Sequence, residues 1–262
     1  MPEIDTRFGT IHYEEFGDRQ LPPLVLVHGL MGDGSTVALL AQGLSAAFHV
    51  IAPDALGHGE SARPEGFTLQ DQGAMLGELI AGLGYASANL VGISMGSYLA
   101  AQAAVLAPDR IAGLVLVVSK AHGQTSSVAA YAARRGVDLS TLSPEETMAV
   151  MADAVWSPHT PPERRETLLT ATTVRTPLNP EEQAAVERSL ANFDLRPGLP
   201  SITAPTLVIS GASDGLNPPE AGREVADGIP GARFVVYENS GHMLPYEEQD
   251  RLVEDITAFL TA

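Results

Sequence analysis

The chain has 262 residues, 45% of them apolar, which is enough for one large α/β domain or for a core with an insertion. Its formal net charge of −17, from 32 acidic and 15 basic residues, repels phosphate backbones and excludes nucleic acid as an expected partner. It has no cysteine, which excludes disulfides, thiolate nucleophiles and cysteine-ligated metals, and no apolar run approaching a membrane span. The stretch MPEIDTRFGT lacks a basic region leading into an apolar one, so a cytoplasmic protein with no membrane partner is expected.

IHYEEFG (11–17) and LVLVHG (24–29) read as strands on either side of a Pro22-Pro23 turn. A helix over 32–48, a strand at HVIAPD (49–54) and a helix over 68–84 come next. NLVGI (89–93) is expected as a strand, residues 94–107 as a helix stopped by Pro108, and IAGLVLVV (111–118) as a strand. Continuous apolar strands alternating with helices signal a parallel sheet covered on both faces.

After Val118 the rhythm changes. Residues 120–200 read as helices over 126–136, 143–156, 161–174 and 179–193, with Ser-Pro-Glu-Glu, Pro-Pro-Glu and Asn-Pro-Glu-Glu starts that cap the first turn and set carboxylates against the helix dipole. This stretch is nearly neutral, with eight basic and ten acidic residues, so almost all the net negative charge lies outside it. The bulk of that charge reads as a solubilising surface. Alternation resumes with PTLVIS (205–210), a helix over 218–229, ARFVVYE (232–238) and a helix over 245–260. Leu252, Val253, Ile256, Phe259 and Leu260 share one face of the last helix. The expected architecture is a mostly parallel sheet with helices on both faces, a core of residues 1–119 and 201–262, and a helical insertion, 120–200, over the strand ends.

Two segments fit Gly-x-Ser-x-Gly, GISMG (92–96) and GASDG (211–215). A serine at a strand-to-helix turn needs small neighbours two residues away on each side and a helix that starts at once, so that its amides face developing negative charge. GISMG meets both conditions, whereas GASDG is followed by Leu-Asn-Pro-Pro and a helix starting only near Pro218. Ser94 is therefore the expected nucleophile.

VLVHGL (25–30), DALGHGES (54–61), GISMG (92–96), APTLVISGASD (204–214) and SGHMLPYEE (240–248), in that order, resemble the α/β-hydrolase superfamily, in the small lidded branch of esterases, enol-lactonases, cofactor-free haloperoxidases and carbon–carbon bond hydrolases. The resemblance spans nearly the whole chain and is weakest over 120–200. It implies a Ser94, Asp214, His242 catalytic triad, with 120–200 as a lid. His242 would take and return the serine proton, and Asp214 would hold the imidazole tautomer and balance its charge. The backbone amides of Leu30 and Met95 are the expected oxyanion donors, with Met31 as an alternative to Leu30, and Gly29 is expected to let the chain turn sharply. Met31, Trp156 and Met243 are the expected pocket residues, Trp156 reading either as lid packing or as pocket lining. His28 is expected to fix the oxyanion loop, and Asp54 to tie down the turn carrying His58. His12, His49, His122 and His159 lack metal-ligand spacing, so neither metal nor cofactor is expected.

The function these residues imply is hydrolysis of a carboxylic ester or lactone, a small-molecule substrate, through an acyl-enzyme. Carbon–carbon bond hydrolysis, cofactor-free perhydrolysis and a non-hydrolytic binding or cyclase-like role are the alternatives, since one fold hosts many chemistries.

Overall fold

The computed structural model describes residues 2–124, 126–171 and 173–262. Its elements are β1 (Glu3–Thr6), β2 (Gly9–Phe16), β3 (Pro23–Val27), α1 (Ala38–Leu44), β4 (His49–Pro53), α2 (Leu69–Gly82), β5 (Ala88–Ile93), α3 (Met95–Leu106) and β6 (Ile111–Val117). Next come α4 (Ser127–Arg134), α5 (Pro144–Val155), α6 (Pro162–Ala171) and α7 (Pro180–Ser189). The chain ends with β7 (Thr206–Gly211), α8 (Pro219–Gly228), β8 (Arg233–Tyr237), α9 (Leu244–Glu247) and α10 (Gln249–Leu260).

The strands form one sheet in the order β1-β2-β4-β3-β5-β6-β7-β8. β1, β2 and β4 pair antiparallel, and every other pairing is parallel. β4, β5 and β7 are buried at every position, as strands covered on both faces must be. On one face Met75, Leu76 and Leu79 of α2, Leu99 of α3 and Val225 of α8 join the larger apolar cluster. On the other, Leu40 and Leu44 of α1 pack with Leu252 and Ile256 of α10, while Val253, Phe259 and Leu260 close the edge. An α/β fold with helices on both faces results, as the periodicity implied.

Three details depart from the sequence reading. β1 is an edge strand whose EIDT alternates between exposed and half-buried, so it carries no apolar run to announce it. The stretch read as a helix over 32–48 opens as a 3₁₀ turn (Gly34–Val37), because the Asp33 carboxylate accepts from Ser35 N, and α1 starts only at Ala38. The last helix is split at Glu248, whose φ of −130° lies outside the helical range. Of the helix read over 161–174, Thr172 lies outside the described residues.

Residues 120–200 hold α4 to α7 between β6 and β7, with α5 and α7 opened at the expected cap residues, Ser143 and Asn179, which form capping boxes with Glu146 and Glu182. The two ends of the segment are drawn together. Leu195 N donates to Ala121 O and Gly123 N to Phe193 O, both at 2.8 Å.

Candidate active site

Ser94 is the junction of β5 and α3, and its φ of 52° with ψ of −117° is a strained conformation for a residue with a side chain. The strain is held from both sides: Ser94 N donates to Val117 O at 2.9 Å, and α3 begins at the next residue. The turn closes only because its flanking residues are glycines. A Cβ on Gly96 would lie 2.3 Å from Val27 O, and one on Gly92 would lie 2.2 Å from Gly96 O. Ser213, in the rival motif, sits in the turn after β7 with α8 starting only at Pro219.

His242 reaches Ser94 from the loop after β8. Its Nε2 is 2.9 Å from Ser94 Oγ, and its Nδ1 is 2.8 Å from Asp214 Oδ2. Asp214, 3% exposed, offers only that oxygen to the imidazole, because its Oδ1 accepts from Leu216 N and Asn217 N at 2.8 and 2.9 Å. A carboxylate clamped on one oxygen and buried on the other selects the Nδ1–H tautomer, which leaves Nε2 as the acceptor facing the serine.

The His242 loop is braced from the helical segment. Met243 N donates to Val155 O at 3.1 Å, and a Cβ on Gly241 would meet Val155 O at 2.6 Å and Ser157 N at 2.8 Å. The buried Glu247 carboxylate accepts from Gly241 N at 2.6 Å, Ser157 N at 2.9 Å and Thr160 Oγ1 at 2.6 Å. Trp156 belongs to this contact. It caps α5 and is buried, but it does not line the cavity at the serine, which corrects its expected pocket role: its backbone is committed to packing on Gly241.

On the other side of Ser94, the loop after β3 brings Gly29, Leu30 and Met31 to the same cavity. The sharp turn is made by Met31, at φ 61°, and not by Gly29, whose own contribution is closeness: its Cβ position lies 3.6 Å from Ser94 Cβ. His28, fully buried, donates from Nδ1 to Gly29 O at 2.7 Å and accepts from Ala55 N at Nε2, 3.0 Å away. Burial lowers its pKa and keeps it neutral, as that donor-acceptor pairing requires. Asp54 ties the adjoining turn by accepting from Gly34 N and Glu60 N at 2.7 and 2.8 Å. Met95 N is among the first amides of α3, which have no partner within the helix.

These residues open onto a cavity of about 760 Å³. Of the expected pocket residues, Met31 and Met243 line it, together with Leu30, Ser94, Met95 and His242. A serine hydroxyl, an imidazole and a carboxylate in series, at the end of a mostly apolar cavity, can activate an alcohol oxygen for attack on a carbonyl.

The family model described as the alpha/beta hydrolase fold matches residues 22–249. The chain belongs to the α/β-hydrolase fold family. Among similar members, the pimeloyl-[acyl-carrier protein] methyl ester esterase of Aliivibrio salmonicida is 29% identical over 245 residues, covering 90% of this chain and 91% of that one. The enol-lactonase of Burkholderia xenovorans LB400 has a crystal structure that superposes with a TM-score of 0.84 at 29% identity, all of both chains being covered. A thermophilic esterase from Thermogutta terrifontis superposes with a TM-score of 0.81 at 29% identity, covering 99% of this chain and 97% of that one.

In this α/β hydrolase the motifs left several polar residues of the site unread. Tyr98, four residues after Ser94, lies in the cavity wall and stacks on Phe193 at 4.9 Å between centroids. Asn217 Nδ2 donates to the Tyr98 phenol oxygen Oη and to Val118 O, both at 2.7 Å, and Lys120 lines the same wall. Asn217 was visible only as part of Leu-Asn-Pro-Pro, and Tyr98 and Lys120 are single residues outside any spacing rule.

Proposed function

We propose that this protein is a serine hydrolase that cleaves a carboxylic ester or lactone of small to medium size through an acyl-enzyme. The observation that carries this is the hydrogen-bonded series Asp214, His242, Ser94, with Ser94 held in a strained turn at the mouth of a helix. Ser94 Oγ attacks the carbonyl carbon as His242 Nε2 takes its proton. The amides of Met95 and Leu30 receive the carbonyl oxygen as it becomes an oxyanion. His242 then gives the proton to the departing alkoxide, and a water activated by the same imidazole releases the acyl group. Residues 120–200 act as a lid on the core of residues 1–119 and 201–262, at the strand ends where ligands of open α/β sheets bind. The esterase and lactonase names of the relatives at 29% identity support this reading.

A fluorophosphonate tests it. The probe is expected to label Ser94, read by peptide mass spectrometry, with loss of hydrolysis of p-nitrophenyl esters in proportion to labelling. A label on Ser213, or activity that survives full labelling of Ser94, refutes the assignment.

A further inference from the structure

Val118, the residue after β6, has φ of 47°, a strained value for a β-branched side chain. It is pinned there by its amide, which donates to Ile209 O at 2.8 Å, and by its carbonyl, which accepts from Asn217 Nδ2 at 2.7 Å. Two residues later Lys120 lines the cavity wall.

Its ammonium is incompletely used. Nζ donates to Ser127 Oγ at 2.9 Å, and that hydroxyl in turn donates to Asn217 Oδ1 at 3.0 Å. One of three N–H donors is thereby satisfied. The charge lies 5.8 Å from the Tyr98 ring centre and 5.9 Å from that of Phe193, the stacked pair of the same wall. Burial alone lowers its pKa, with no neighbouring charge among the described residues raising it again. The one carboxylate that lines the cavity among the described residues, Glu187, is exposed and accepts from Gln183 Nε2 at 2.9 Å. A role limited to tying down α4 through Ser127 needs a single donor and no charge. A lysine held there, partly desolvated, with two donors unpaired among the described residues and aromatic faces behind it, is built for an anion from the cavity side.

We propose that Lys120 is a specificity-determining residue that binds a carboxylate on the substrate, so that the ester or lactone cleaved here carries a free acid remote from the scissile carbonyl. This rests on the hydrolase reading above. A carboxylate fits better than a phosphate dianion: one ammonium offers a single charge, no arginine lines the cavity among the described residues, and a chain of net charge −17 repels multiply charged anions.

Ser94→Ala, which holds esters without turnover, separates binding from catalysis. Calorimetry would compare methyl hydrogen adipate with dimethyl adipate, and the matching glutarate, pimelate and suberate pairs. At one length or more the hemiester is expected to bind at least about tenfold tighter than the diester, as a charge-assisted hydrogen bond gives. Lys120→Met in the Ser94→Ala background is expected to erase that ratio, and Lys120→Arg to keep part of it. Equal affinities at every length, no binding of any hemiester, or a preference untouched by Lys120→Met would overturn the proposal. A wild-type protein that turns over neither form while this binding preference holds would count against the hydrolase reading and leave Lys120 as an anion site.

Discussion

Ser213 and Asp214 occupy one turn after β7, yet their side chains are committed to different degrees. Asp214 is clamped by two amides and faces His242, while Ser213 contributes its amide to Ser240 O at 2.9 Å. Asp214→Asn keeps the shape and removes the charge that selects the tautomer, so kcat for a p-nitrophenyl ester is expected to fall by roughly 10⁴. Ser213→Ala is expected to cost a few-fold at most, with circular dichroism confirming that both variants fold. A near-normal rate for Asp214→Asn beside an inactive Ser213→Ala would reverse the assignment. Lys120 adds a pH dependence. Burial sets its pKa below the ordinary lysine value, and the charged form exists below that pKa. The preference for a hemiester over its diester should therefore be present below that pKa and vanish as pH rises through it, earlier than an exposed lysine would allow. A ratio of kcat/KM values that stays flat from pH 7 to beyond the ordinary lysine pKa would contradict this.

Between elements, the decisive contact is that of the α5 C-terminus with the loop between β8 and α9. Val155 O, Ser157 N and Thr160 Oγ1 meet Gly241, Met243 and the buried Glu247, so the helical insertion and the histidine loop are one unit. Glu247→Ala leaves three donors without their acceptor in a buried place, each costing about 1–3 kcal/mol where water does not replace it. The melting temperature is expected to drop by several degrees and kcat to fall with it, because His242 loses its brace. An unchanged melting temperature with unchanged kcat would show the network to be incidental. The same unit governs what removal of the insertion should do. Gly215 N donates to Ala154 O at 2.8 Å, so the Asp214 turn also leans on α5. Replacing residues 125–191 by a short linker across the Gly123–Phe193 neck is expected to slow fluorophosphonate labelling of Ser94 as well as to alter ester preference. Wild-type labelling rates would mean that the core assembles the site unaided.

For the molecule as a whole, acid sensitivity is expected from the buried histidines His28 and His58 beside the oxyanion loop. Burial, with the neighbouring His28, lowers the His58 pKa to about 3. In the unfolded chain the imidazole takes up a proton at about pH 6.5, so between those values the unfolded state binds more protons and stability falls as pH falls. Urea midpoints are expected to drop from pH 7 to pH 5 in the wild type and to drop less in His58→Gln. An equal drop in both would assign the acid sensitivity elsewhere. The opposing effect, relief of acidic repulsion in a chain of charge −17, is common to both proteins and cancels in the comparison.

Apolar periodicity determined the alternating sheet and helices, because buried strands and amphipathic helices cannot hide their patterning. The two Gly-x-Ser-x-Gly matches could be ranked from sequence, since an elbow depends on the few residues immediately downstream: a helix after Ser94, prolines after Ser213. The edge strand β1, whose EIDT has no apolar run, the 3₁₀ opening before α1, set by one capping hydrogen bond, and the break at Glu248 were not legible, because none of them leaves an apolar period in the sequence. Trp156 is the clearest case. A lone tryptophan in the insertion suits lid packing or a pocket, and the close approach of residues 155–157 to Gly241, about 85 residues later, removes it from the pocket. Tyr98, Lys120, Ser127 and Asn217 are likewise silent as letters. Only the return of the chain at Val118, and the docking of α4 beside the Asp214 turn, brings an ammonium, a hydroxyl, an amide and a phenol into one wall, because tertiary packing alone fixes which side chains share a cavity.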